Sequence, residues 1–243
     1  MIGNIEINDS KITEQFLSRR AVRAGLSILM SMIWMALAGA TQSWAQGSSS
    51  QVLTIAIDAS NPNTVYASTV AQGVFKTTNG GATWASANSG IVADTSSLSI
   101  HPTTPTTLYA ASVNLTTLTP GGVFKTTNGG TSWSESGLLN QYTTSVKIDT
   151  TTPSTVYAGA IEVLALGSPG GVFRTTNGGI FWFPINDGLT NQQVWCLAMN
   201  PVTTTILYAG TEGGVFKKTS AEAAWTAMNT GLTHTQEIGR AHV

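Results

Sequence analysis

Short alternating runs of apolar and polar residues fill the chain from about residue 50 onward. Leu53-Thr54-Ile55-Ala56-Ile57-Asp58 is one such run, and Thr64-Val65-Tyr66-Ala67, Gly73-Val74-Phe75-Lys76-Thr77 and Thr83-Trp84-Ala85-Ser86 follow it. A period of two predicts strands. Ser60-Asn61-Pro62-Asn63 separates the first pair and Asn79-Gly80-Gly81 the last pair, both strong turn signals. The unit then returns. Phe75, Phe124, Phe173 and Phe216 stand 49, 49 and 43 residues apart, and Trp84, Trp133, Trp182 and Trp225 keep the same spacings. Tyr66, Tyr109, Tyr157 and Tyr208 precede them, each followed by Ala. Four short antiparallel strands per repeat predict an all-β protein whose four repeats are the blades of a β-propeller. A blade with two apolar faces cannot bury both alone, so blades must stack. The blades are expected at about 50–90, 91–139, 140–190 and 191–233, within a propeller region of 46–236.

The turn between the third and fourth strands carries a finer signature. Thr77-x-Asn79-x-Gly81-x-Thr83-Trp84 resembles the Asp-box of the BNR-repeat propellers, Ser/Thr-x-Asp-x-Gly-x-Thr-Trp. Thr126, Asn128, Gly130, Ser132 and Trp133 repeat it. Thr175, Asn177, Gly179 and Trp182 do so with Phe181 in the Thr position. The fourth copy keeps Trp225 alone, with Lys218, Ser220 and Glu222 elsewhere in the box. Asn stands where the family has Asp, which keeps the acceptor and removes the charge. The resemblance covers roughly residues 50–236. It implies a propeller of six to eight blades whose boxes are structural and face away from the ligand site. Such repeats occur in sialidases, xyloglucanase-type hydrolases, sortilin-like receptors and photosystem-assembly factors, so the motif names a fold and not a function.

Composition narrows the field. Only 9% of residues are charged and the net charge is −1, with no basic stripe in the repeats, which excludes nucleic acid as a partner. One cysteine, Cys196, excludes an intramolecular disulfide and a thiolate metal site. Its run Val194-Trp195-Cys196-Leu197-Ala198-Met199 reads as a buried strand with a structural thiol. Residues 1–45 read as an export signal: Arg19, Arg20 and Arg23 flank an uncharged run from Ala24 to Ala40, and Ser43-Trp44-Ala45 is a small-residue cleavage site. An extracellular or periplasmic location is therefore expected. An uncleaved anchor is the alternative and the one route to a membrane. Residues 237–243, Glu-Ile-Gly-Arg-Ala-His-Val, fit no repeat position and resemble the translation of a sequencing-adapter read. Thr230 to Gln236 parallels Asp187 to Gln193, which leads into a blade, so a longer propeller is expected.

Strand direction places the second-to-third-strand loops and the blade-to-blade connections on one face, opposite the boxes. Two of these loops are enlarged. Tyr109 to Phe124 spans 15 residues and Tyr157 to Phe173 spans 16, against 9 and 8 in the outer blades. The additions are Ser112 to Pro120 and Ala160 to Pro169, with Val163, Leu164 and Leu166 a contact surface or simply a longer hairpin. Gln51, Asp94, Tyr142 and Gln193 share one repeat column at the mouth of the central channel. With Asn114 and Glu162 they are the candidate ligand-binding residues.

Catalytic chemistry finds little support. A sialidase needs an arginine cluster, and Arg174 is the one arginine in the repeats. A glycosidase needs two facing carboxylates, and of the upper-loop acids Asp94, Glu162, Asp187 and Glu212, Asp94 with Glu162 is the candidate pair. Asp58, His101, Asp149 and Asn200 share a strand-end column that reads as turn capping. No metal, cofactor or phosphate motif is present. The leading expectation is a non-enzymatic propeller that binds a protein or glycan through its long loops. The alternative is a xyloglucanase-like or sialidase-like hydrolase whose catalytic residues lie largely in further blades.

Overall fold

The computed structural model describes residues 51–91, 94–114, 117, 119–163 and 167–233. The described residues fall within one compact unit, Ser48–Val243. The expected leader, the 237–243 tail and the loop-tip residues Leu115, Thr116, Leu118, Leu164 and Leu166 lie outside the described residues.

Among the described residues, sixteen strands form four antiparallel sheets of four. Blade 1 is β1 (Val52–Ile57), β2 (Val65–Thr69), β3 (Gly73–Thr77) and β4 (Ala85–Ser86). Blade 2 is β5 (Thr95–Ile100), β6 (Leu108–Asn114), β7 (Thr119–Thr126) and β8 (Ser134–Glu135). Blade 3 is β9 (Tyr142–Ile148), β10 (Val156–Ile161), β11 (Gly171–Thr175) and β12 (Phe183–Pro184). Blade 4 is β13 (Val194–Met199), β14 (Ile206–Thr211), β15 (Gly214–Thr219) and β16 (Thr226–Ala227). Each sheet is a simple meander, as the repeats predict. The outermost strands are two residues long, which leaves little open edge for foreign pairing.

The core lies between blades and not within them. Tyr66, Val74 and Ala87 of blade 1 pack against Leu98, Leu108, Ala110, Phe124 and Trp133 of blade 2. Tyr109, Ala111 and Val123 of blade 2 meet Val146, Ile148, Val156 and Ala158 of blade 3. Val172 and Leu189 of blade 3 meet Val194, Leu197, Leu207, Ala209, Phe216 and Trp225 of blade 4. At each interface the preceding blade thus gives its tyrosine and a valine of its third strand (Val74, Val123 or Val172), and the following blade gives aliphatic residues of its first two strands and its tryptophan. Alternation along a strand supplies both.

Hydrogen bonds fix the register of that packing. The Trp133 indole N–H donates to the Ala87 carbonyl (2.7 Å), Trp182 to Ser136 (2.6 Å) and Trp225 to Ile185 (2.6 Å). Each indole reaches the residue three past the tryptophan of the preceding blade. A second device joins two of the three interfaces. Tyr66 Oη and Lys76 Nζ both donate to the Gly129 carbonyl at 3.2 Å. Tyr109 Oη and Lys125 Nζ do the same at Gly178, at 2.8 and 3.1 Å. In each pair the ammonium also sits 5.2 Å from the phenol ring centre. Along the inner strands, serine hydroxyls accept backbone N–H groups of the following blade: Ser97 from Val146 and Ser145 from Leu197.

The box turns are closed by short side chains. Thr77 Oγ1 donates to Asn79 Oδ1 (2.8 Å) and accepts the Gly81 N–H (3.0 Å), while Asn79 Oδ1 accepts the Thr83 N–H (2.9 Å). Thr126 and Asn128 repeat this with Gly130 and Ser132, and Thr175 and Asn177 with Gly179 and Phe181. Phe181 is tolerated because the bond uses its backbone and not its side chain. Blade 4 closes its turn differently. Lys218 Nζ donates to the Glu222 and Ala223 carbonyls, and the Glu222 carboxylate accepts the Thr219 N–H.

Two residues offer tests. Gly129 has φ +68°, and an added Cβ would lie 2.9 Å from Lys76 Nζ. Gly129→Ala is expected to lower stability by about 1–2 kcal/mol from the left-handed backbone alone, with a further loss from the displaced Tyr66–Lys76 pair, read as a fall in Tm. Lys147 lies on β9 opposite Tyr157, and burial holds its ammonium below the ordinary value of 10.5. The folded chain binds fewer protons there than the unfolded chain. The cost is therefore complete below the folded pKa and fades as pH rises toward 10.5. Lys147→Met is expected to raise Tm at neutral pH by a few degrees, as a gain of about 1 kcal/mol does in a domain of this size, with the gain shrinking at alkaline pH.

Candidate functional site

Connections β2–β3, β6–β7, β10–β11 and β14–β15, with the blade-to-blade segments, emerge on one face. The described residues of the insertions there extend the hairpins. Val113 pairs with Pro120 and Asn114 with Thr119, lengthening β6 and β7, and Val163 bridges Ser168 across the blade 3 loop. The Asn114 side chain accepts the Thr117 N–H at 2.8 Å and caps its own loop. Rigid strands thus carry the two longest loops out from adjacent blades.

The four residues of the channel-mouth column do not act as one ring. Gln51 is exposed, and its carbonyl accepts the Val70 N–H (3.0 Å). Asp94 Oδ1 accepts the Ala71 N–H at 2.8 Å, so its carboxylate ties the blade 2 entrance to the blade 1 loop, where Ala71 holds φ +62°. Gln193 Nε2 donates to the Glu162 carbonyl at 2.9 Å and ties blade 4 to the blade 3 loop. Tyr142 departs from the expected place at an open channel mouth. It is 1% exposed and lies in an apolar cluster with Val113 and Ile161, against which Val163 and Trp195 pack. Its ring is large, and the blade 2 and blade 3 insertions close over it. Sequence missed this cluster because Val113, Tyr142 and Trp195 come from different repeats and different columns.

Asp94 and Glu162 share no hydrogen-bond partner: Asp94 engages blade 1, and Glu162 engages Gln193 of blade 4 through its backbone. The structure does not assemble them as an acid–base pair. Among the described residues no three His, Cys, Asp or Glu side chains are grouped to hold a metal ion. By sequence, the loops of this face carry Asp94, Glu162, Asp187 and Glu212 and no lysine or arginine. Asp187 stands toward the rim, where its carbonyl accepts the Trp225 N–H.

Unmet hydrogen-bonding capacity gathers on the same face. Among the described residues, the buried polar side-chain atoms without a partner are Thr69 Oγ1, Thr95 Oγ1 and Trp195 Nε1. Thr69 ends β2, Thr95 begins β5 and Trp195 is the second residue of β13. All three strand ends point to the long-loop side. Buried polar groups ordinarily find partners, so these three strand ends are where packing, and not hydrogen bonding, holds the side chains.

On the opposite face the titratable residues close turns. The Ser60 hydroxyl and the Ser60 and Asn61 N–H groups hold the Asp58 carboxyl below its ordinary value. Burial raises the Asp149 carboxyl, and bonds from Thr151, Thr204 and the Thr152 N–H outweigh it. His101 Nδ1 accepts the Thr104 N–H (3.1 Å) in the same column, and Asn200 Oδ1 accepts from Val202 and Thr203 (2.9 Å each). Cys196 is half-buried and free, and burial pushes its thiol up, which makes it a poor nucleophile.

No protein-family profile and no curated protein sequence matches the chain. Solved structures do. An ancestral GH74 enzyme is 20% identical with a TM-score of 0.62, covering 77% of this chain and 25% of that one. A GH74 xyloglucanase from Xanthomonas campestris is 17% identical with a TM-score of 0.59, covering 75% and 30%. YCF48 from Cyanidioschyzon merolae is 18% identical with a TM-score of 0.53, covering 73% and 56%. The chain therefore spans between a quarter and somewhat over half the length of these proteins. At such identities the likeness establishes the β-propeller fold alone.

Burial, then the Lys125 charge, lowers the pKa of His101 below 6.5. Its turn is thus held by neutral imidazole. That stability is complete above 6.5 and is lost as pH falls through the folded pKa. His101→Asp, which installs the residue found at Asp58 and Asp149, is expected to flatten the fall in Tm between pH 7 and pH 5.

Proposed function

We propose that this protein is an exported, non-enzymatic propeller of the BNR-repeat kind that captures a protein or glycan through its long-loop face. The observation that carries the reading is the pair of enlarged loops that adjacent blades carry out on one face by extended strands and a bridged hairpin. The opposite face spends its polar side chains on closing turns. Variation concentrated in loops on a rigid scaffold is the usual arrangement of a recognition surface. The loops hold acids without bases, which favours a neutral or cationic partner and an association weakened by salt. The reading of residues 1–45 as an export signal supports a partner outside the cytoplasm.

A second reading, glycoside hydrolysis, is favoured by the GH74 likeness in fold. It requires a second carboxylate from further blades, because the Asp94 carboxylate is tied to the Ala71 N–H of blade 1 while Glu162 is held to Gln193 of blade 4 through its backbone.

The test uses the full chain against immobilised plant and bacterial polysaccharides and extracytoplasmic proteins of the source. Replacing Ser112–Pro120 by the short Val70–Gln72 turn is expected to weaken binding at least tenfold. Phe181→Ser on the opposite face is expected to leave it unchanged. Binding insensitive to the loop exchange overturns the reading. Release of reducing sugar from xyloglucan, abolished by Asp94→Asn or Glu162→Gln, replaces it with the hydrolase.

A further inference from the structure

We infer that the box turn of blade 3 is a site of spontaneous covalent modification, at which the Asn177 carboxamide deamidates faster than its counterpart in blade 2. The chemistry is open to any Asn-Gly step, because glycine has no side chain to hinder the approach. The Gly178 backbone nitrogen bonds to Cγ of Asn177, and Nδ2 leaves as ammonia. The five-membered imide then takes up one water. Opening at one carbonyl gives aspartate. Opening at the other gives isoaspartate, whose main chain runs through Cβ. The balance is closed: carboxamide and water become carboxylate and ammonium, with no oxidant or other reactant.

Local sequence does not distinguish the sites. Thr-Thr-Asn-Gly-Gly stands at 77–81, at 126–130 and at 175–179, and all three asparagines are exposed. The attacking N–H is also held alike. Gly80, Gly129 and Gly178 donate to the Asn63, Thr106 and Ser154 carbonyls at 3.0, 2.8 and 2.9 Å. In blades 2 and 3 the glycine carbonyl is gripped alike as well, Gly129 by Tyr66 and Lys76, Gly178 by Tyr109 and Lys125. Gly178 is half-buried where Gly129 is buried, a difference that favours attack in blade 3.

The carboxamide separates them. In blade 2, Asn128 Oδ1 accepts the Thr126 hydroxyl (2.8 Å) and the Ser132 N–H (3.0 Å), and Nδ2 donates to Ser132 Oγ (2.9 Å). Asn79 Nδ2 makes the same bond to Thr83 Oγ1. Both ends of the amide are held. In blade 3, Oδ1 accepts three donors: the Thr175 hydroxyl (2.8 Å) and the Ile180 and Phe181 N–H groups (3.1 Å each). Phe181 has no hydroxyl, and Nδ2 has no partner among the described residues. Three donors stabilise the charge that gathers on Oδ1 as the nitrogen attacks, and the leaving nitrogen breaks no bond to depart. Aspartate at 177 keeps the acceptor of the turn. Isoaspartate lengthens the main chain next to Gly178 and shifts the carbonyl that Tyr109 and Lys125 grip, which loosens blade 2 from blade 3.

The experiment incubates the full chain in mildly alkaline buffer and follows each box peptide by mass, with isoaspartate counted by enzymatic methylation. Asn177 is expected to deamidate roughly three- to tenfold faster than Asn128, the rate equivalent of one hydrogen bond. Phe181→Ser supplies the hydroxyl of blade 2 and is expected to bring Asn177 to within about twofold of the Asn128 rate. Ser132→Ala removes that hydroxyl and is expected to speed Asn128 by about threefold or more. Both positions are exposed, and unchanged circular dichroism checks that the blades persist. In denaturant the two sites are expected to react at one rate. The Tm of aged protein is expected to fall as isoaspartate at 177 accumulates. Equal rates at Asn128 and Asn177 in the folded chain overturn the proposal. So does a difference that survives in denaturant, which marks a sequence effect, or one that survives Phe181→Ser, which marks the glycine nitrogen and not the carboxamide.

Discussion

A four-stranded sheet with two apolar faces has no interior of its own, and everything else in this protein follows from that. Val74 and Phe75 are neighbours on β3, yet one belongs to the interface with blade 2 and the other to the outer face of blade 1. Neither can be buried by its own blade. Stability therefore resides in contacts between units, as in other stacked repeats, and a blade gains most of its burial only when flanked on both sides. Blades 2 and 3 meet this condition and hold the most completely buried strands, β6 and β9. Blades 1 and 4 meet it on one side.

Apolar area alone would let two such faces slide. Directional bonds prevent this, and they are made with backbone carbonyls. The indoles of Trp133, Trp182 and Trp225 each find one carbonyl of the preceding blade. The tyrosine–lysine pairs find a box glycine of the following one. A carbonyl target is independent of side-chain identity, so the latch survives the sequence differences between Ala87, Ser136 and Ile185. This explains how Trp225 remains useful in a blade that has lost the rest of its box. The tryptophan serves the interface, whereas the Thr–Asn–Gly triad closes the turn, and the two roles separate cleanly in blade 4.

The repeat made the fold legible. Period-two runs, the Asn-Gly-Gly turns and the Phe and Trp spacings predict all four meanders, because those features are local and recur. The strand-end column of Asp58, His101, Asp149 and Asn200 was legible for the same reason: each side chain bonds N–H groups two or three residues ahead. The loop face was not. The candidate column of Gln51, Asp94, Tyr142 and Gln193 assumes that equivalent positions do equivalent things, and on this face they do not. Asp94 reaches back to blade 1, Gln193 reaches back to blade 3, and Tyr142 is covered by insertions that the outer blades lack. Once loops differ between repeats, the repeat no longer predicts their contacts.

The division between faces has a physical cause. Each box turn is placed by its own Thr–Asn–Gly bonds, and at two interfaces it also supplies the glycine carbonyl that fixes the neighbouring blade. Lengthening that turn would move the carbonyl, so the box face is constrained by assembly as well as by local geometry. The loop-side strand ends have a recurring tie of their own, in which the Ser68, Ser96 and Thr144 hydroxyls donate to the Thr95, Thr143 and Val194 carbonyls of the next blade, but these groups lie on strands and not in the loops. The ties made by the loops themselves, from Asp94 to Ala71 and from Gln193 to Glu162, are particular to one pair of blades each. Insertions can therefore accumulate there without disturbing the stack, and polar groups such as Trp195 Nε1 can stay unpaired at a cost the interblade cores offset. A surface that folding leaves free to vary is the surface on which recognition can be built.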